Sequence, residues 1–274
     1  MTVDAHHHVW DLAARDQDWI PEGSPLRRTF TVADLEPEAR AAGVDRTVLV
    51  QTVTVPEETP EFLELAAAHD LIAGVVGWTD LTRPDIADEL ARLRELPGGS
   101  YLKGIRHQVQ GEPDPEWLLR PDVRRGLAAV AAAGLVYDLV VLPHQLPSCA
   151  KAAADLPDLT FVLDHLGKPP IASGALTLWS TDLHALAARP NTVAKLSGLV
   201  TEANPAGWTT DDLRPYTETA LEAFGPDRLM FGSDWPVCTE RATYGQVIEA
   251  ARQLTSPTEH AQLFETTAAR VYGL

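Results

Sequence analysis

The chain has 274 residues, 45% hydrophobic and 22% charged, an ordinary globular composition that excludes a disordered or low-complexity protein. A formal charge of −17 and a pI near 4.8 disfavour nucleic acid and anionic membrane as partners, since both need a basic face. A small anionic substrate stays open, because a few pocket cations can override the global field.

No apolar run reaches the roughly 18 residues of a membrane span. The opening Met1-Thr2-Val3-Asp4-Ala5 has neither the basic nor the apolar part of a secretory signal. Two cysteines, Cys149 and Cys238, build no disulfide framework and no Cys-x-x-Cys pair. A reducing cytoplasm is the expected location.

The predicted elements alternate along the whole chain. Strand 3–9 comes first and carries His6-His7-His8. Segment 11–30 is the longest irregular stretch and is expected to lie over the mouth of the fold. Helix 31–43 begins at Thr31 or Asp34 and stops at Gly43. Strand 46–52, helix 60–70, strand 72–78, helix 84–96, strand 102–109 and helix 121–134 follow. Strand 136–142, helix 147–156, strand 159–165, helix 181–188, strand 192–199 and helix 210–224 continue the pattern. Strand 229–234 and helices 244–254 and 260–271 close it. Several helices carry Pro near their first turn, where its missing N–H costs nothing.

The strands are near-continuous apolar runs, as expected of parallel strands buried on both faces. Eight such cycles predict an α/β fold, a slightly distorted (β/α)8 TIM barrel forming one domain over 1–274. A doubly wound open sheet also alternates, but it would place a Gly-rich phosphate loop after the first strand. Here that place is taken by His8-Val9-Trp10-Asp11.

Polar residues at the C-terminal ends of barrel strands face the active site. Five strands of this sequence supply them: His6-His7-His8, Arg106-His107-Gln108, Asp164-His165, Lys195 with Ser197, and Asp234-Trp235-Pro236. His6 and His8, two apart on a strand, share a face from which His7 points away. With His165 and Asp234 they suit a divalent metal; a hydrogen-bonded core pair or a tag remnant is the alternative. Asp234 ends a buried strand and therefore needs a metal, a cation or a reacting water beside it, unless Arg228 pairs with it. Arg106, His107 and Lys195 could bind an acidic or hydroxyl-rich substrate and polarise a carbonyl, or form salt bridges with Asp164 or Asp138. Trp10, Trp19, Trp78 and Trp235 suit stacking on a sugar ring or burial in the core. His69, His144, His184 and His260 read as surface residues. Cys238 lies near the rim without a partner pattern that would make it a nucleophile.

Six motifs together resemble the amidohydrolase-related family, and within it the branch of sugar lactonases typified by L-fuconolactonase. They are Asp4-Ala5-His6-His7-His8-Val9-Trp10, Ala73-Gly74-Val75-Val76-Gly77-Trp78, Gly104-Ile105-Arg106-His107, Val162-Leu163-Asp164-His165-Leu166-Gly167-Lys168-Pro169, Lys195-Leu196-Ser197-Gly198-Leu199 and Phe231-Gly232-Ser233-Asp234-Trp235-Pro236-Val237. The resemblance implies hydrolysis of a lactone to a hydroxy acid at the C-terminal face of the barrel. It implies Asp234, His165 and Lys195 as catalytic groups, and His6, His8, His165 and Asp234 as metal ligands. Arg106, His107, Asp138, Ser197, Trp19 and Trp235 are the expected substrate contacts.

The sequence departs from two-metal members of the superfamily. It offers no bridging Lys or Glu set and no His on the seventh strand, which argues for one divalent metal at most. Zinc is the expected ion; some lactonases of the branch work without a tightly held metal, so the requirement is open. The expected partner is a small-molecule lactone, and a homo-oligomer is compatible with the sequence. A metal-dependent decarboxylase of the same superfamily and a non-catalytic sugar-acid binder are the competing readings.

Overall fold

The computed structural model describes residues 1–274. Eight strands, β1 (Val3–His7), β2 (Arg46–Val50), β3 (Ile72–Gly77), β4 (Leu102–His107), β5 (Val136–Leu139), β6 (Phe161–Leu163), β7 (Thr192–Leu196) and β8 (Leu229–Phe231), pair in chain order. Every pairing is parallel. The barrel closes where β1 meets the segment after β8: Asp234 N donates to His6 O (2.8 Å) and His8 N to Trp235 O (2.7 Å).

Ten helices surround the strands: α1 (Val32–Ala41), α2 (Glu58–Ala68), α3 (Ile86–Glu95), α4 (Pro121–Ala132), α5 (Leu146–Asp155), α6 (Thr177–Ala187), α7 (Leu199–Glu202), α8 (Thr210–Phe224), α9 (Tyr244–Leu254) and α10 (Thr267–Tyr272). The expected barrel is present. Helix α6 begins four residues earlier than the sequence suggests, α7 is an unforeseen short helix, and a π turn, Gln262–Thr266, leads into α10. No helix is long and apolar enough to cross a membrane.

The strands end earlier than their apolar runs predict. β6 stops at Leu163, β7 at Leu196 and β8 at Phe231, so the polar residues that follow sit on turns above the barrel. Inside the lower barrel, Val3, Ala5, Val48, Val50, Val76, Val136, Val162, Val193 and Met230 form one apolar cluster. Ala268 and Tyr272 of α10 enter the same cluster and plug the bottom. A larger apolar layer fills the space between strands and helices.

Segment 11–30 lies across the mouth, as expected. Reciprocal backbone bonds between Trp10 and Phe30 (2.9 Å each) pin its base. Ser24 Oγ donates to Glu240 (3.0 Å), tying it to the loop after β8.

Candidate active site

Strict alternation along β1 would send His6 outward, because Val3 and Ala5 already point into the barrel. The register with β2 shifts between Asp4 and His7, where one extra residue enters β1. Such a bulge re-aims the side chains that follow it, and here it turns His6 and His8 inward. Asp4 stays outside the barrel wall, where its carboxylate accepts from Ser233 N (2.8 Å), Ser233 Oγ (2.6 Å) and Tyr244 OH (2.9 Å). Those bonds fix the residue before Asp234, which takes a left-handed φ of 57°. His7 is a buried core histidine whose ring nitrogens lack partners; burial, then the neighbouring His8, pushes it down to about 3.

The inward rings meet at one point. His6 Nε2 lies 3.1 Å from His8 Nε2, and Asp234 Oδ1 lies 3.7 Å from the former and 3.5 Å from the latter. His8 Nδ1 sits 2.7 Å from Val50 O. A carbonyl only accepts, so Nδ1 carries the proton of a neutral His8 ring, and the Nε2 lone pair faces His6 and Asp234. Acceptors converging this closely need a cation between them, and His6, His8 and Asp234 form a group of metal-ligand type. Those residues fit a single divalent ion of the kind that takes nitrogen and carboxylate oxygen.

His165 stands beside this group, its Nε2 3.9 Å from Asp234 Oδ1. It is also grouped with His6 and Asp164, but Asp164 is engaged by Arg106 and Lys195. Burial drives the His165 ring down to about 4, so it is neutral at pH 7. Its Nδ1 lies 2.9 Å from Ser197 Oγ. Asp234 is depressed: burial raises it, but His165 and His8 outweigh burial.

A closed ionic floor lies below. Lys195 Nζ is 2.6 Å from Asp138 Oδ2, 2.9 Å from Asp164 Oδ1 and 3.1 Å from His6 Nδ1. Arg106 Nη1 pairs with Asp164 Oδ2 (2.9 Å), and its Nη2 and Nε bind Gln51 Oε1. Tyr272 OH donates to Asp138 Oδ2 (2.8 Å) from α10. Two cations and two carboxylates thus neutralise one another with no exposed surface at Lys195, Asp138 or Asp164. Burial pushes Asp138 up to about 6 against the pull of Lys195. Asp164, which burial alone would raise, is held well below the usual range by Lys195, His6 and Arg106.

Above the floor is a small cavity of about 110 Å³ lined by His8, Trp19, Thr52, Arg106, Gln108, Gln110, Val140, His165, Lys168, Thr201, Asp234 and Val237. Of the expected substrate contacts, Arg106 and Trp19 reach it. Ser197 is one step behind, bonded to His165. Lys195 and Asp138 lie in the ionic floor and do not line the cavity, so their placement offers a substrate no direct contact.

His107 points to the outer face of β4, because Arg106 takes the inner one. Its Nδ1 accepts from Trp78 Nε1 (3.0 Å), its Nε2 is 2.7 Å from Glu112, and its ring stacks on Trp117 at 4.3 Å. Trp235 is buried against Phe30. Arg228 binds backbone carbonyls such as Ala187 O and pairs with no carboxylate of the site. His144 is exposed, whereas His69, His184 and His260 are half-buried rather than superficial; all four lie clear of the cavity. Cys238 is buried with its thiol pushed well up by that burial, consistent with an inert role.

Of the other lining residues, the sequence placed Gln108 on the rim without a role, and Thr52, Gln110, Lys168 and Thr201 were missed. Lys168 had a visible signal, since Gly167 and Pro169 bracket it in a turn-forming pattern.

The family model described as "Amidohydrolase" matches residues 3–274. An L-fucono-1,5-lactonase from Burkholderia multivorans is 40% identical, the match covering 100% of this chain and 96% of the relative. An L-fucono-1,5-lactonase from Burkholderia ambifaria is 39% identical over 89% of this chain and 83% of its own. A crystal structure of an amidohydrolase from Burkholderia multivorans with bound zinc superposes with a TM-score of 0.93, at 40% identity, over 100% of this chain and 99% of that one. A full-length family match, joined to a (β/α)8 barrel whose first, sixth and eighth strands deliver His6, His8, His165 and Asp234 to one mouth, places the chain in the amidohydrolase family.

Proposed function

We propose that the chain hydrolyses a sugar lactone, of the L-fucono-1,5-lactone kind, to its hydroxy acid. The observation that carries this reading is the Asp234 carboxylate held 3.5 to 3.9 Å from His6, His8 and His165 on the wall of a polar cavity. The full-length relatives named L-fucono-1,5-lactonase support it. The cavity is smaller than the roughly 300–1,000 Å³ of drug-sized sites, which suits a single ring. Thr52, Gln108, Gln110 and Thr201 can meet its hydroxyls, and Trp19 can cover one face.

Asp234 accepts a proton from water as the water oxygen bonds to the lactone carbonyl carbon. The C–O ring bond then breaks, and the departing alkoxide takes that proton back from Asp234. The new carboxyl group loses its own proton to solvent, so lactone plus water becomes hydroxy acid. His165 N donates to Ser197 Oγ (3.3 Å), which leaves the Ser197 hydroxyl free to donate to Nδ1. That arrangement keeps the ring proton on Nε2, facing the carbonyl oxygen as it becomes negative. His6, His8 and Asp234 would hold one divalent ion, zinc, whose chemistry is Lewis acidity toward a carbonyl and acidification of water.

The test is acid release from a panel of aldono-1,5- and 1,4-lactones by protein loaded with zinc and by chelated protein. Turnover of L-fucono-1,5-lactone or a close stereoisomer is expected, falling on chelation. Carbon dioxide release from an aromatic acid with no lactone opened would select the decarboxylase reading instead. Binding of sugar acids without any turnover would select the binder.

A further inference from the structure

Residues 165 to 168 form a left-handed turn. His165, Leu166, Gly167 and Lys168 have φ of 53°, 51°, 69° and 53°, and Lys168 N closes the turn on His165 O (2.9 Å). Three of the four bear side chains, for which this conformation carries a steric cost. The turn is held from both sides. Trp179 Nε1 of α6 donates to Leu166 O (2.8 Å), and a Cβ on Gly167 would come within 2.8 Å of Leu146 Cδ2 on α5. Strain that the surroundings enforce this firmly points to function at the strained residues.

What the turn achieves is to bring two side chains three residues apart into one cavity. His165 is the first and Lys168 the second. The two cavity-lining cations differ in how they are engaged. Arg106 is consumed by Asp164 and Gln51. Lys168 is half-buried and has no carboxylate within ion-pair distance and no acceptor for its ammonium within the chain. The neighbouring Lys195 shows how this fold treats a structural lysine, with carboxylates on two sides and no exposure.

The reaction in the proposed reading turns a neutral ring into an anion. A partly desolvated ammonium with no carboxylate in contact, though within the field of Asp234 and Glu202, discriminates between those two states. We propose that Lys168 is a substrate- and product-contacting residue: its ammonium takes an oxygen of the lactone and, after ring opening, the carboxylate of the acid, and it sets how tightly the acid is held. This rests on the lactonase reading.

Sodium L-fuconate is the probe, titrated calorimetrically into zinc-loaded wild type, Lys168→Met and Lys168→Arg, beside initial-rate kinetics on L-fucono-1,5-lactone. Loss of one charge-assisted hydrogen bond should raise the fuconate Kd about 10- to 100-fold in Lys168→Met. The KM for the neutral lactone should rise by less, and the salt dependence of fuconate binding should fall away. Lys168→Arg should restore part of the acid affinity, and thermal melting of each variant separates this from misfolding.

If Lys168→Met binds fuconate as tightly as wild type, or loses acid and lactone affinity equally, the assignment is wrong. A wild type that opens the lactone yet shows no binding of fuconate overturns it too. A wild type that opens no lactone at all overturns the lactonase reading first, and this inference with it.

Discussion

Asp234 and the two lysines separate three ways of using a charge. The Asp234 carboxylate is buried, lies 3.5 to 3.9 Å from three imidazoles and lines the cavity, which places it against the position of an attacking water. Asp234→Asn keeps the shape and removes the base. The loss expected for a missing general base is about 10²–10⁴-fold in kcat, measured on whichever lactone the panel identifies, with zinc content determined on the same protein. Near-wild-type turnover would remove Asp234 from that role. Lys195 differs because both its carboxylate partners are fully buried. Lys195→Met leaves Asp138 and Asp164 facing each other without the ammonium, and breaking a buried pair in this way costs about 3–5 kcal/mol. Urea unfolding should show that loss, with activity lost in step with folding. A fully stable Lys195→Met protein would mean that the ionic floor does not stabilise the barrel.

At the scale of elements, the junction between β2 and α2 carries a pH-dependent contribution of its own. Glu58, the first residue of α2, accepts Thr52 N (2.8 Å), Val53 N (3.3 Å) and the Thr52 hydroxyl, and so holds the Thr52 that lines the cavity. Burial raises its carboxyl from 4.5 to about 6 even against those bonds. Between those values the folded state binds the extra proton, so the Glu58 contribution is complete below pH 4.5 and is lost as pH rises through 6. The shift corresponds to about 2 kcal/mol. Comparing urea midpoints of wild type and Glu58→Gln from pH 4.5 to 7 isolates it: the wild type should lose about that much more stability over the range. Parallel pH profiles for the two proteins would contradict the assignment.

Elements also explain what the sequence made legible. Apolar runs of strand length located all eight strands, and polar breaks at their ends found His6, His8, His165 and Asp234. The polar residues beyond those breaks follow turn geometry instead of strand parity, which is why Lys168 went unseen. Parity alone would have excluded His107, because Arg106 beside it occupies the inner face. At β1 parity would have misled, since nothing in His6-His7-His8 announces the extra residue that reverses it. Lys195 and Asp138 have the right parity but lie one layer too low to line the cavity. Depth along a barrel depends on the register between strands, which a single strand's sequence does not encode.

The whole molecule divides along its axis into an apolar lower barrel and a charged upper one, and Tyr272 joins the two. Its ring belongs to the lower cluster with Val3 and Val48, about 5.4 Å from Lys195 Nζ, while its hydroxyl donates to Asp138. Helix α10, the last element of the chain, therefore both plugs the bottom of the barrel and completes the ionic floor. Asp138 Oδ1 already lacks a partner, so Tyr272→Phe leaves that carboxylate with Lys195 alone. Losing a donor to a buried acceptor costs about 1–3 kcal/mol, and Tyr272→Ala, which also opens a cavity, should cost about 3–5 kcal/mol. Lys195 keeps both its carboxylates in either variant, so His6 should stay where it is. The expected pattern is a fall in urea midpoint for Tyr272→Phe with kcat changed by no more than about threefold, and a larger fall for Tyr272→Ala. The reverse pattern, with stability kept and turnover lost, would show that the floor transmits strain from α10 to His6 instead of isolating the site from it.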